Sequence, residues 1–128
     1  MIMNAVDQTL VDPFARQADY FKALAHPTRL QILAILLQGE SCVCHIMELV
    51  DKRQAYVSQQ LGVLRQAGLV SDRKDGLFVY YGLRDPHLAE LLAASQQALH
   101  RAEGVGFESA LAKLTKASCG CSACLAEN

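Results

Sequence analysis

Apolar residues along the chain repeat at helical spacing in four early stretches, then switch to alternation, then return to helical spacing. Asp12-Pro13 is a cap-then-proline start, and Phe14, Ala18, Phe21 and Leu24 share one face of the helix it opens. His26-Pro27-Thr28 breaks that helix and starts a second at Pro27. Leu30, Leu33, Ala34 and Leu37 line the second helix, and Gly39 ends it. Ser41 is placed to cap a short third helix carrying Ile46, Leu49 and Val50. After the polar turn Asp51-Lys52-Arg53, a fourth helix runs from about Gln54 to Gln66, with Val57, Leu61 and Leu64 inward and Gly68 just past its end. Two β-like runs follow, Leu69 to Arg73 and Leu77 to Leu83, split by Asp75-Gly76, a hairpin signal. Asp85-Pro86 opens a long helix through Leu88, Leu91, Leu92 and Leu99 to about Glu103. Gly104 and Gly106 loosen the chain, and Phe107 to Lys116 suit one more short helix.

This order predicts a mainly α fold with a small β-hairpin wing, a winged helix-turn-helix. Residues 12–103 form the winged helix-turn-helix body, and 104–128 a C-terminal extension. Its end, Cys119 to Asn128, has little to fold around and is expected to be mobile without a ligand.

Composition changes the picture in two ways. The 128 residues are 52% hydrophobic, enough for one core, but a chain this small gains from a dimer partner. The net charge is −1, so local charge must carry any nucleic-acid interaction. The start of the chain shows no charged region followed by an apolar run. Its longest apolar stretch, Leu30 to Leu37, is interrupted by Gln31 and far too short for a membrane span. A cytoplasmic protein with no membrane partner is expected. No glycine-rich phosphate loop and no nucleophile–base set argues for an enzyme.

The fourth helix carries the local charge. From Lys52 to Arg65 there are three basic residues and no acid. Ala55, Ser58, Gln59 and Gly62 lie opposite the apolar face, with Gln54 and Tyr56 at the N-terminal end. Short and amide side chains suit base edges in a major groove. Arg73 and Lys74 near the hairpin tip are placed for phosphate, against Asp72 and Asp75. The bland alternative is a solvated helix face used for protein contacts.

Ala23-Leu-Ala-His26-Pro27-Thr-Arg29-Leu-Gln-Ile-Leu33 resembles the second-helix signature of ArsR/SmtB-type metal-responsive repressors. Val57-Ser58-Gln-Gln-Leu61-Gly-Val-Leu64-Arg65-Gln-Ala-Gly68-Leu69-Val70 is similar to their recognition helix, and Gly76-Leu-Phe-Val-Tyr80-Tyr81-Gly-Leu83 to their wing. The likeness spans roughly residues 12–103. It implies a homodimer built on the first and last helices, gripping double-stranded operator DNA. Gln54, Ser58 and Gln59 are the implied base-reading residues, with Arg65, Arg73 and Lys74 for phosphate.

Five cysteines in such a chain favour metal or redox chemistry over structural disulfides. They fall in two groups, Cys42-Val-Cys44 and Cys119-Gly-Cys121-Ser-Ala-Cys124. Thiolates select soft ions. In a regular helix Cys42 and Cys44 would point about 200° apart, so joint capture of one ion should bend the start of the third helix. Glu40-Ser-Cys42-Val-Cys44-His45-Ile-Met47 resembles the metal box of arsenic- and cadmium-sensing members. Met47 stands where arsenic sensors carry a further cysteine, and residues 1–12 hold no cysteine. Completion of the site would fall to Cys119, Cys121 and Cys124, from the same or the other protomer. Three thiolates suit As(III) or Sb(III), and four suit Cd(II) or Zn(II) in a tetrahedral site; the resemblance adds Pb(II) as a candidate inducer. The tail cysteines also fit a separate site, a redox pair or no role. Asp85, His87, His100 and Glu103 resemble a zinc site between paired last helices of some relatives. The gap between the two pairs is two residues too long for that pattern.

The leading expectation is a repressor released from DNA by a thiophilic ion. Two others stand beside it: a thiol redox or persulfide sensor using the same cysteines, and a metal-binding carrier without DNA activity.

Overall fold

A computed structural model describes residues 12–115. The fold is a winged helix-turn-helix: six helices and a three-stranded antiparallel sheet among the described residues. Helix α1 (Pro13–Leu24) starts as the sequence implies, with Asp12 Oδ1 accepting from the Phe14 amide at 2.9 Å. Helix α2 (Pro27–Leu36) is capped by a histidine: His26 Nδ1 accepts from the Thr28 amide at 3.2 Å.

The next segment differs from expectation. Ser41 does not cap a helix. Ser41–Cys42 forms a short strand, β1, and α3 (Val43–Val50) begins only after it. Cys42 is extended, at φ −78° and ψ 161°. Its strand state comes from pairing: β1 lies antiparallel to Phe78–Leu83 (β3), Ser41 opposite Tyr81 and Cys42 opposite Tyr80. Asp51 closes α3 in the left-handed region, at φ 57°, and turns the chain into α4 (Gln54–Gln66). Gly68, at φ 80°, ends α4 in a Schellman motif: the Leu69 amide donates to Leu64 O at 2.9 Å and the Gly68 amide to Arg65 O at 3.0 Å.

Strands β2 (Val70–Asp75) and β3 (Phe78–Leu83) form the wing, and the sheet order is β1-β3-β2. The hairpin loop is Gly76-Leu77 rather than Asp75-Gly76, because Asp75 pairs with Phe78. Gly76 takes φ 65° while Leu77 does not go positive, the pattern of a type II′ turn with glycine first. Helix α5 (Leu88–Glu103) follows a turn in which Asp85 Oδ1 accepts from the His87 amide at 2.9 Å, so the cap acts one turn ahead of the helix proper. Helix α6 (Glu108–Leu114) packs back on α2 and α3.

Ile32, Leu33, Ile46, Val57, Leu61, Leu64 and Val70 are the most deeply buried side chains, so α2, α3, α4 and the start of β2 share one core. The outer helices contribute little to it. On α1 only Ala23 and Leu24 are buried, and on α5 only Leu88 and Leu92. Among the described residues no helix is long and apolar enough to cross a membrane.

Candidate nucleic-acid interface and thiol site

Helix α4 turns Val57, Leu61 and Leu64 into the core and leaves Gln54, Ser58 and Gln59 exposed. The three polar residues thus lie on the solvent-facing side of α4. Two further contacts, missed in the sequence, fix the helix. Tyr56 Oη lies 3.2 Å from His26 Nε2. Since His26 Nδ1 accepts from an amide, the neutral ring carries its proton on Nε2 and donates to the tyrosine. Gln60 is buried, and its Oε1 accepts from Arg29 Nη1 at 3.3 Å. The signal for Gln60 was present: it sits three residues after Val57 and four before Leu64, on the inward stripe, where a polar side chain needs a partner. Both contacts tie the recognition helix to the first turn of α2.

The basic residues divide. Arg65 Nη1 pairs with Asp72 Oδ2 at 3.0 Å. Arg73 Nε donates to both carboxylate oxygens of Glu40, at 2.9 and 3.0 Å, with Nη2 2.8 Å from Oε1. Its guanidinium also lies 4.8 Å over the Tyr80 ring. That hydrogen bonding holds the Glu40 carboxyl below its ordinary pKa and raises Arg73. Lys74 is exposed on the wing and makes no ion pair among the described residues.

The two thiols are closer than helical geometry allows. Because Cys42 is extended and Cys44 is on the first turn of α3, their Sγ atoms lie 2.9 Å apart. The expected 200° divergence does not occur, so no bending of α3 is needed to bring them together. The separation is well beyond the roughly 2.05 Å of a disulfide bond. Cys42 is 3% exposed and packs with Tyr80, while Cys44 is half-buried and shares an open cleft with Met47, Glu48 and Asp51. The donor chemistry fits a thiophilic ion at two positions. Among the described residues no group of three or more His, Cys, Asp and Glu side chains is assembled to hold a metal. Cys119, Cys121 and Cys124 lie outside the described residues.

The last-helix residues are not brought together within one chain. His87 Nδ1 lies 3.0 Å from Asp85 Oδ1 at the start of α5, and His100 Nδ1 lies 3.2 Å from Val105 O at its end. Thirteen residues of helix separate the histidines by roughly 20 Å. The His87 amide, and then its ring, hold the Asp85 carboxyl below its usual range.

Residues 26–72 match the family described as "Bacterial regulatory protein, arsR family". The chain is 42% identical over 86 residues to the uncharacterized HTH-type transcriptional regulator Rv0081 of Mycobacterium tuberculosis strain H37Rv, covering 66% of this chain and 75% of that one. The chain belongs to the ArsR family. The crystal structure of Rv0081 superposes with a TM-score of 0.67 at 38% identity, over 73% of this chain and 96% of that one. The arsenical resistance operon repressor of Escherichia coli K12 is 36% identical over 100 residues, covering 77% of this chain and 85% of the repressor. A solution structure titled as the homodimeric winged helix-turn-helix DNA-binding domain of Mb0332 from Mycobacterium bovis gives a TM-score of 0.64 at 34% identity, over 72% and 86% of the two chains.

Proposed function

We propose that this ArsR-family protein is a repressor that grips operator DNA as a homodimer and lets go when Cys42 and Cys44 capture a thiophilic ion such as arsenite, antimonite, cadmium or lead. The observation that carries the reading is the 2.9 Å sulfur pair at the head of α3, the helix packed against the recognition helix. Gln54, Ser58 and Gln59 read bases; Lys74, and Arg65 and Arg73 when their carboxylate partners yield, hold phosphate. The exposed apolar residues of α1, Phe14, Tyr20 and Phe21, with Leu99 of α5, support dimerisation through the first and last helices. The E. coli relative, named for arsenical resistance, supports the choice of ion. Cys119, Cys121 and Cys124 are the candidate further ligands. Asp85, His87, His100 and Glu103 would form a zinc site only across paired last helices.

Cys42 and Cys44 belong to β1 and α3 at once, so a ligand held by both constrains the junction that supports α4. A hundredfold drop in DNA affinity needs roughly 2.7 kcal/mol of coupling, within the usual allosteric range. The same sulfur separation favours a second reading: oxidation of the pair to a disulfide, or persulfide formation, would act on the same junction.

Fluorescence anisotropy of the reduced protein on its own upstream DNA tests both, with arsenite, cadmium, lead and zinc titrated at fixed salt. Release by one ion names the inducer. Release only by oxidant, reversed by dithiothreitol, selects the redox reading. No specific DNA binding would return the protein to a metal carrier.

A further inference from the structure

Cys42, Tyr80 and Arg73 stand in one row across the sheet. Tyr80 on the central strand pairs with Cys42 of β1 on one side and Arg73 of β2 on the other. Residues paired directly across a ladder share a face. Glu40, two residues before Cys42, falls on that same face. Continued by one pair, the β1–β3 register sets Glu40 opposite Gly82. A side chain there would crowd it: a Cβ on Gly82 would lie 3.2 Å from Glu40 Cγ. The bare glycine lets Glu40 lean across β3 and grip Arg73 through its Nε and Nη2. Four side chains therefore close a circuit from the buried thiol to the wing: Cys42 on Tyr80, Tyr80 under Arg73, Arg73 on Glu40, and Glu40 back to Cys42 along the chain.

We propose that Glu40 is a positioning residue that withholds Arg73 from DNA phosphate, and that the thiol pair acts on the wing through this contact. Both side chains are about half exposed, so the pair can open to a phosphate without unfolding anything. A carboxylate and a phosphate compete for the same bidentate fork of an arginine. Whatever moves Cys42 against Tyr80 also moves Glu40 against Arg73. The coupling half of the proposal rests on the thiol-sensing reading; the competition half does not.

The test uses the full-length reduced protein, labelled upstream DNA and a salt series, with wild type, Glu40→Gln, Arg73→Ala and the double variant. Arg73→Ala is expected to weaken binding and flatten the slope of log affinity against log salt by about 0.9 per lost phosphate contact, roughly 1.8 for a dimer. Glu40→Gln is expected to tighten binding by a few-fold per wing, the scale of an exposed ion pair. The double variant should match Arg73→Ala alone, because Glu40 works through Arg73. A slope unchanged by Arg73→Ala overturns the proposal. So does a Glu40→Gln gain that persists without Arg73, which would be bulk charge. Arsenite and cadmium titrations then judge the coupling: Glu40→Gln should need several-fold more ion for half-release. Release at the wild-type concentration overturns the coupling and leaves α3 as the route. A wild type that no ion releases refutes the sensing reading and the coupling with it, while the salt series still decides the competition for Arg73.

Discussion

Cys44→Ser separates ion capture from folding. Cys42 is nearly fully buried against Tyr80, so placing a more strongly hydrated serine hydroxyl there costs about 1–3 kcal/mol in desolvation. Cys44 is half-buried beside an open cleft, and its replacement is expected to change stability by about 1 kcal/mol or less. The effect on the ion is much larger. The two sulfurs are already 2.9 Å apart, so once one thiolate has captured the ion the second closes intramolecularly. Linked arms of this kind exceed a single arm by about 10²–10⁴ in affinity without any new contact. Cys44→Ser is therefore expected to raise the ion concentration for half-release at least about a hundredfold, with DNA affinity in the absence of ion unchanged. Anisotropy on the upstream DNA measures both quantities, and a thermal melt confirms the fold. A half-release concentration equal to wild type, in a variant with unchanged Tm, refutes the argument that the pair is the capture site.

Other contacts make smaller predictions. Tyr56→Phe leaves the His26 Nε2 proton without its acceptor, a loss of about 1 kcal/mol, seen as a Tm lower by about 3–5 °C in a chain of this size. Phe21→Glu, on the exposed apolar side of α1, is expected to yield monomers in sedimentation velocity and to lose operator binding while the circular dichroism stays native; a persistent dimer would move the interface elsewhere. The Glu40 carboxyl titrates below its unfolded value, so its contribution is complete above the ordinary carboxylate pKa and fades as pH falls through the depressed one. Denaturant midpoints of wild type and Glu40→Gln should then run parallel through neutrality and converge only below about pH 4. Convergence near pH 6 would assign the effect to another group.

Periodicity made α4 legible because Val57, Leu61 and Leu64 repeat at helical spacing and are buried, whereas on α1 and α2 the expected face is only partly inward: Phe14, Phe21, Leu30 and Leu37 are exposed, and Ile32, Ile35 and Leu36 are buried instead. Glycine placed the end of α4, since only a left-handed residue closes a Schellman motif at that point. What the sequence hid was β1. Two residues are too few for an alternation to show, and their strand state comes from pairing with β3, almost forty residues away. That omission misplaced the thiols, because the divergence of Cys42 and Cys44 was reckoned on a helix that Cys42 has not yet entered. The ion pairs of Arg65 and Arg73 were hidden for the same reason. Their partners, Asp72 and Glu40, come alongside only when the sheet assembles.

The placement of charge bears on how such a repressor can be switched. A chain of net charge −1 draws little on long-range attraction to DNA. Of its basic groups near the reading surface, Arg65 and Arg73 are paired internally, while Lys52, Arg53 and Lys74 make no ion pair among the described residues. Lys52 and Arg53 immediately precede α4, where the unpaired amides of a helix N-terminus add their own attraction for phosphate. On the proposed reading grip falls at two places, the head of α4 and the wing, and each adjoins one of the thiols: Cys44 shares its cleft with Lys52 and Arg53, and Cys42 meets the wing through Tyr80. If those few groups are the phosphate contacts, losing the wing contact would remove a sizeable share of the affinity. Release on the proposed reading would then need only a small displacement at Cys42, with no refolding of α4.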